Sequence, residues 1–129
     1  MPTTIPILSA PDLEAAARYY AGFGFAETGR WPDYLILVHP LGIELHVGLD
    51  ADHDDSDPAS AGHRHGGACY IRFETEEEAR ALHADWARAS DQGSISQPRE
   101  THYGLLEFGV DDPFGNTISV GGALDRKDR

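Results

Sequence analysis

The stretch LLEFGVDDPFGNTISVGG, residues 105–122, decides the fold. An alternating apolar run ends at Asp111-Asp112-Pro113, a tight turn follows at Phe114-Gly115-Asn116, and a second alternating run begins at Thr117. Two period-2 segments around a turn rich in Pro, Gly and Asn predict a β-hairpin. Leu106, Phe108 and Val110 fall on one face; Tyr103, Leu105, Glu107 and Gly109 fall on the other. On the return strand, Ile118 and Val120 oppose Thr117, Ser119 and Gly121. One face suits a core. The other carries a carboxylate, a phenol, a hydroxyl and glycines, as the wall of a ligand site would.

Upstream of the hairpin the pattern is strand, then helix. Residues 67–73, GACYIRF, alternate Cys69, Ile71 and Phe73 against Ala68, Tyr70 and Arg72. Thr75 and Glu78 form a capping box, and Ala79, Leu82, Trp86 and Ala89 make one buried helical stripe. Residues 94–101 read as a weaker strand. The first half of the chain has the same order. Residues 4–8, TIPIL, read as a strand, and Ser9 reads as the N-cap of a helix whose buried face is Leu13, Ala16, Ala17 and Tyr20. Gly22 and Gly24 end that helix, and strands are expected over 25–31, 34–39 and 43–49. Each half reads βαβββ, which points to an internal duplication. The expected fold class is α+β: one domain of two βαβββ modules, about 1–49 and 67–124, forming curved mixed sheets each packed on a helix. The polar segment 50–66 joins them.

At 129 residues the chain can bury a proper core. No apolar run approaches the roughly 20 residues that span a bilayer, and the N-terminus shows no signal-peptide pattern, so a cytoplasmic protein is expected. The single cysteine, Cys69, excludes an intrachain disulfide and reads as a small core residue. A formal net charge of −12 disfavours nucleic acid and anionic membranes; its usual reading is solubility, and its sharper one a cationic ligand.

The strand faces opposite the core collect Glu44, His46, Tyr70, Glu107 and Ser119. On a curved sheet these line a binding trough. Glu44 and His46, two apart on one strand, suit a carboxylate–imidazole pair, two metal ligands or simple ligand contacts. His53, His63 and His65 sit in the polar linker without firm metal-ligand spacing. No nucleophile elbow, P-loop, dinucleotide fingerprint or zinc-protease motif is present.

The two βαβββ units, the D-P-x-G-N turn at Asp112–Asn116 and the G-F-G-F run at Gly22–Phe25 resemble the vicinal oxygen chelate superfamily. Its members include glyoxalase I, extradiol dioxygenases and bleomycin resistance proteins. RALHADWARA (80–89) and GIELHV (42–47) look like the bleomycin-binding branch. The superfamily's enzymes hold a metal at positions that fall by register on Ile5, Glu44, Ala68 and Ser119. Only Glu44 keeps a ligating side chain there, so the resemblance implies a protein without metal or other cofactor. It implies a homodimer that sequesters a cationic glycopeptide antibiotic in grooves between subunits. The ligand-binding residues it points to are Trp31, Asp33, Tyr34, Glu44, His46, Tyr70, Tyr103, Glu107 and Ser119. The alternatives are a metal-dependent glyoxalase- or dioxygenase-type enzyme and a binder of another small metabolite.

Overall fold

The computed structural model describes residues 2–50, 66–89 and 92–125. Most of the linker, with His53, His63 and His65, lies outside the described residues.

The first strand, β1 (Ile7–Ala10), begins later than the TIPIL pattern suggests. Pro6 lacks an N–H, so it joins the neighbouring strand only as an acceptor, taking a 3.1 Å bond from the His46 amide. The helix cap is Asp12, not Ser9. Asp12 has an extended backbone, and its carboxylate accepts from the amides of Glu14 (2.9 Å) and Ala15 (3.2 Å). Ser9 is still inside the strand. Helix α1 (Leu13–Ala21) buries Leu13, Ala16 and Tyr20. Strands β2 (Ala26–Trp31), β3 (Tyr34–Val38) and β4 (Glu44–Leu49) follow, in the sheet order β1-β4-β3-β2. β1 runs parallel to β4, and the other pairs are antiparallel.

The second module has β5 (Ala68–Phe73), α2 (Glu76–Ala89), β6 (Ser94–Ile95), β7 (Arg99–Glu100), β8 (Leu105–Asp111) and β9 (Thr117–Ala123). Its sheet order is β5-β9-β8-β6, with β7 also on β8. The capping box forms as expected. The Glu78 amide donates to Thr75 Oγ1, and the Thr75 amide donates to Glu78 Oε1. The strand expected over 94–101 is two fragments, because Pro98 interrupts the ladder. Ala89 is exposed rather than buried, and Cys69 is a half-buried free thiol against the core.

The two hairpins correspond in register. Val38 pairs with Glu44 as Asp111 pairs with Thr117. Matching the two registers places Pro40, Gly42, Val47 and Gly48 on Pro113, Gly115, Val120 and Gly121. Gly42 (φ 89°) and Gly115 (φ 96°) take the same left-handed turn position. His39 Nδ1 accepts from the Leu41 amide as Asp112 Oδ1 accepts from the Phe114 amide.

Both helices lie on the core side of their sheets, and β1 of one module meets the start of β5 in the other. A Cβ on Gly67 would stand 2.9 Å from the Ile7 carbonyl oxygen, so glycine permits the approach. Asn116 fastens the seam. Its Oδ1 accepts from the amides of Ser9 (3.0 Å) and Gly67 (2.7 Å). Its Nδ2 donates to the Ser9 carbonyl and to Asp112 Oδ2, both at 2.8 Å. Asp112 Oδ2 also accepts a short bond from the Tyr20 hydroxyl. Trp86 closes the second contact. It stacks obliquely on Phe23 and Phe25 of the first module and donates to the Phe23 carbonyl at 3.0 Å.

Burial, with the Asp112 carboxylate beside it, holds the Tyr20 phenol well above its ordinary range. The unfolded chain therefore ionises this phenol first, and the stability Tyr20 contributes is complete below about pH 10 and declines above it. Urea unfolding should show a falling midpoint as pH rises past 10. Tyr20→Phe should flatten that slope. An identical slope in the two proteins would contradict the assignment.

Candidate ligand-binding trough

Each sheet turns its non-core face outward, and chemistry-bearing side chains gather there in two groups. On the first sheet, β3 and β4 are paired so that Ile36 faces His46 and Tyr34 faces Gly48. That register brings the Tyr34 hydroxyl to 2.8 Å from His46 Nδ1, and His46 Nε2 lies 2.6 Å from Glu44 Oε2. An ionised carboxylate only accepts, so Nε2–H donates to Glu44. A neutral imidazole then leaves Nδ1 as the acceptor for the Tyr34 O–H. The three side chains form one chain of hydrogen bonds, half-buried along the strand. A bulge between Glu27 and Gly29 sets β2 so that Trp31 pairs with Tyr34. Trp31 is 53% exposed. Asp33, in the turn before Tyr34, is exposed, and its carbonyl accepts from the Leu49 amide.

On the second sheet, Glu107 is held from both sides. Tyr70 donates to Oε2 at 2.7 Å and Tyr103 to Oε1 at 2.6 Å. Tyr70 stands on β5 and Glu107 on β8, so the ring must cross β9. It crosses at Gly121, where a Cβ would lie only 1.8 Å from the Tyr70 hydroxyl. Burial and the bond to Glu107 push the Tyr70 phenol up to about 12. The same carboxylate is the main cause of an upward shift at Tyr103. Both phenols are therefore donors at neutral pH, and both rings stay open, at 45% and 56% exposure. Arg72, Gly121, Glu107 and Arg99 are aligned in register across the sheet, so two guanidinium-bearing residues flank the carboxylate's row. Ser119 lies between Tyr70 and Gly109 on this face.

The structure thus assembles Tyr34, Glu44, His46 and Trp31 on one sheet, and Tyr70, Tyr103, Glu107 and Ser119 on the other. Among the described residues no hydrogen bond joins the two groups. The arginine row and the role of Gly121 were not anticipated from sequence. Alternation placed Arg72 on this face, but Arg99 sits in an irregular segment whose pairing has no sequence signature.

Among the described residues the donor set does not suit a divalent metal. His46 pairs with Ile7, which puts Ile5 beside Glu44, and Ala68 pairs with Thr117. The matched hairpins make Thr117, rather than Ser119, the counterpart of Glu44. Ile5 and Ala68 carry no donor, and Thr117 Oγ1 is already bonded to Asp111. No cluster of three or more His, Cys, Asp or Glu side chains occurs among the described residues. A hard divalent ion needs more protein oxygen or nitrogen than this.

Residues 4–120 match the family model of the glyoxalase/bleomycin resistance protein/dioxygenase superfamily. The chain belongs to that superfamily. Solved structures of the superfamily's fold cover nearly the whole chain. A bleomycin-binding protein complexed with bleomycin superposes with a TM-score of 0.75 at 16% identity, over 95% of this chain and 98% of that one. The bleomycin-binding protein of Streptomyces verticillus, complexed with copper(II)-bleomycin, gives 0.67 at 24% identity, over 98% of both chains. A lactoylglutathione lyase from Agrobacterium tumefaciens gives 0.67 at 19% identity, over 94% of this chain and 92% of that one. At these identities the likeness establishes the vicinal oxygen chelate fold. Binders and enzymes of the superfamily share it. No curated protein matches the sequence. No helix among the described residues is long and apolar enough to cross a membrane.

Proposed function

We propose that this protein is a metal-free binding protein of the bleomycin resistance type. It sequesters a flat, cationic glycopeptide antibiotic in a groove between two copies of the chain. The observation that carries the reading is the composition of the two open faces. Exposed aromatic rings stand beside hydrogen-bonded carboxylates, with no metal-ligand set between them among the described residues. Among the described residues, Trp31, Tyr70 and Tyr103 together with Ile7 are the large apolar side chains left open on these faces. Monomers rarely leave such surface bare on curved sheets, and a second copy covers it in this proposal. Charge supports the pairing. The first face bears Asp33 and Glu44, and the second carries Arg72 and Arg99 around Glu107.

In this arrangement the planar part of the ligand stacks on Tyr34 and Tyr103 with Trp31, and its cationic end lies toward Asp33 and Glu44. Glu107 contributes less to charge recognition, because two phenols and the flanking arginines already compensate it. Glu44, His46, Tyr70 and Ser119 are polar contacts of the walls.

Affinities for copper-loaded bleomycin test the reading. Losing an aromatic stacking partner typically weakens binding by about 2- to 12-fold, whereas an exposed charge contributes roughly fivefold at most and is screened by salt. Tyr103→Ala should therefore lose more affinity than Glu107→Gln, and binding to the native protein should weaken only moderately as salt rises. Equal losses from the two substitutions would show that charge, not stacking, dominates the groove.

A further inference from the structure

Glycine inside a strand weakens it, so each such glycine needs a neighbour that a side chain would strike. Most strand glycines here have one. A Cβ at Gly29 would meet the Trp31 ring at 3.0 Å, at Gly121 the Tyr70 hydroxyl, and at Gly122 the Thr75 carbonyl oxygen at 2.1 Å. Two do not. A Cβ at Gly109 would meet only the Ile118 carbonyl oxygen at 3.8 Å and Ser96 Oγ at 3.9 Å, both ordinary contacts. Gly48 is the other. Its φ is not positive, and the nearest atom to a Cβ there is the Leu8 carbonyl oxygen, at an unstrained 3.9 Å. Nothing among the described residues requires glycine at this position. Gly48 pairs with Ser9 on one side and Tyr34 on the other, and Tyr34 pairs with Trp31. The row Ser9-Gly48-Tyr34-Trp31 thus has bare backbone at its centre and an exposed indole at its edge.

We infer that Gly48 is a specificity-determining position of the trough, where a flat aromatic or heteroaromatic group of the ligand lies directly on the β4 backbone beside Tyr34. The inference rests on reading the trough as a ligand site. A side chain at 48 holds the flat group off the backbone and separates it from the Tyr34 and Trp31 rings. Aromatic groups with a donor edge gain further from the Tyr34–His46–Glu44 chain, whose protons are spent within it and whose outer oxygens, on Tyr34 and Glu44, can only accept.

The test compares native protein with Gly48→Ala and Gly48→Val. Valine is a good strand former, and removing glycine restricts the unfolded chain, so both variants should keep or gain thermal stability. The probe is thioflavin T, a flat heteroaromatic cation, titrated by its own fluorescence and by quenching of tryptophan emission. Native protein should bind it. Gly48→Val should weaken binding by about tenfold or more and Gly48→Ala by less, as expected when a methyl or isopropyl group overfills a fitted site. Equal affinity of native and Gly48→Val proteins, or no binding by native protein, would overturn the assignment. Sedimentation of Gly48→Val at half the native mass would assign the bare backbone to a partner chain, and would overturn it too. Copper-loaded bleomycin is titrated into the same proteins. Graded loss of thioflavin T binding without any bleomycin binding would uphold the floor position while removing the drug. Bleomycin binding with unchanged thioflavin T affinity would do the reverse.

Discussion

Asn116→Ala should lower the unfolding free energy by about 3–5 kcal/mol, a large share of what a domain of this size possesses. The side chain is buried and spends all its hydrogen-bonding capacity on the seam, accepting from Ser9 and Gly67 and donating to Ser9 and Asp112. Each bond contributes about 1 kcal/mol net, and each buried partner left unpaired costs about 1–3 kcal/mol more. Alanine also removes one donor from the Asp112 carboxylate, which keeps Tyr20 and the turn amides of Phe114 and Asn116. Asn116→Asp should fall at least as far, because it keeps the acceptor but sets a second carboxylate 2.8 Å from the first. Urea denaturation measures both. A loss below 1 kcal/mol for Asn116→Ala would mean that the seam does not depend on this residue.

Trp86→Ala should cost a similar amount, about 3–5 kcal/mol, for a different reason. The indole is almost fully buried at the meeting of the two modules. It touches Phe23, Phe25 and His39 from the first and Phe108 from the second. Truncation removes that packing, opens a cavity, and leaves the Phe23 carbonyl without the indole donor. The transition should remain single and cooperative while its midpoint drops. Two separate transitions would instead show that the modules fold independently and that Trp86 merely glues them.

The hairpin that opens the sequence reading is the part of the fold that alternation captures best. Leu106, Phe108, Val110, Ile118 and Val120 are buried, and Glu107 and Ser119 face the other way. Period-2 patterning reports which face a residue takes, so the membership of each wall was legible. What a side chain meets on its wall was not, because that depends on register between strands distant in sequence. Tyr34 finds His46 only through the pairing of β3 with β4. Tyr70 reaches Glu107 only because Gly121 lies between them. The Asp112–Asn116 stretch read as a turn and as a mark of the superfamily, but not as a tie to the other end of the chain, yet Asn116 makes two of its four side-chain bonds to Ser9, 107 residues away. Ser9 and Asp12 are both good caps by residue type, and the choice fell to Asp12 because β1 claims the backbone of Ser9. The strand expected over 94–101 failed where Pro98 removes an amide from the ladder.

In the proposed function the trough binds a flat cationic drug without metal or chemistry. Calorimetric titration of metal-free native protein with copper-loaded bleomycin, with sedimentation of the same samples, tests it most directly. Saturable heat with tryptophan quenching, one ligand per chain, and a species of twice the chain mass are expected. No heat and no fluorescence change at high micromolar drug, or binding that appears only after nickel, zinc or iron is added to the protein, would contradict it.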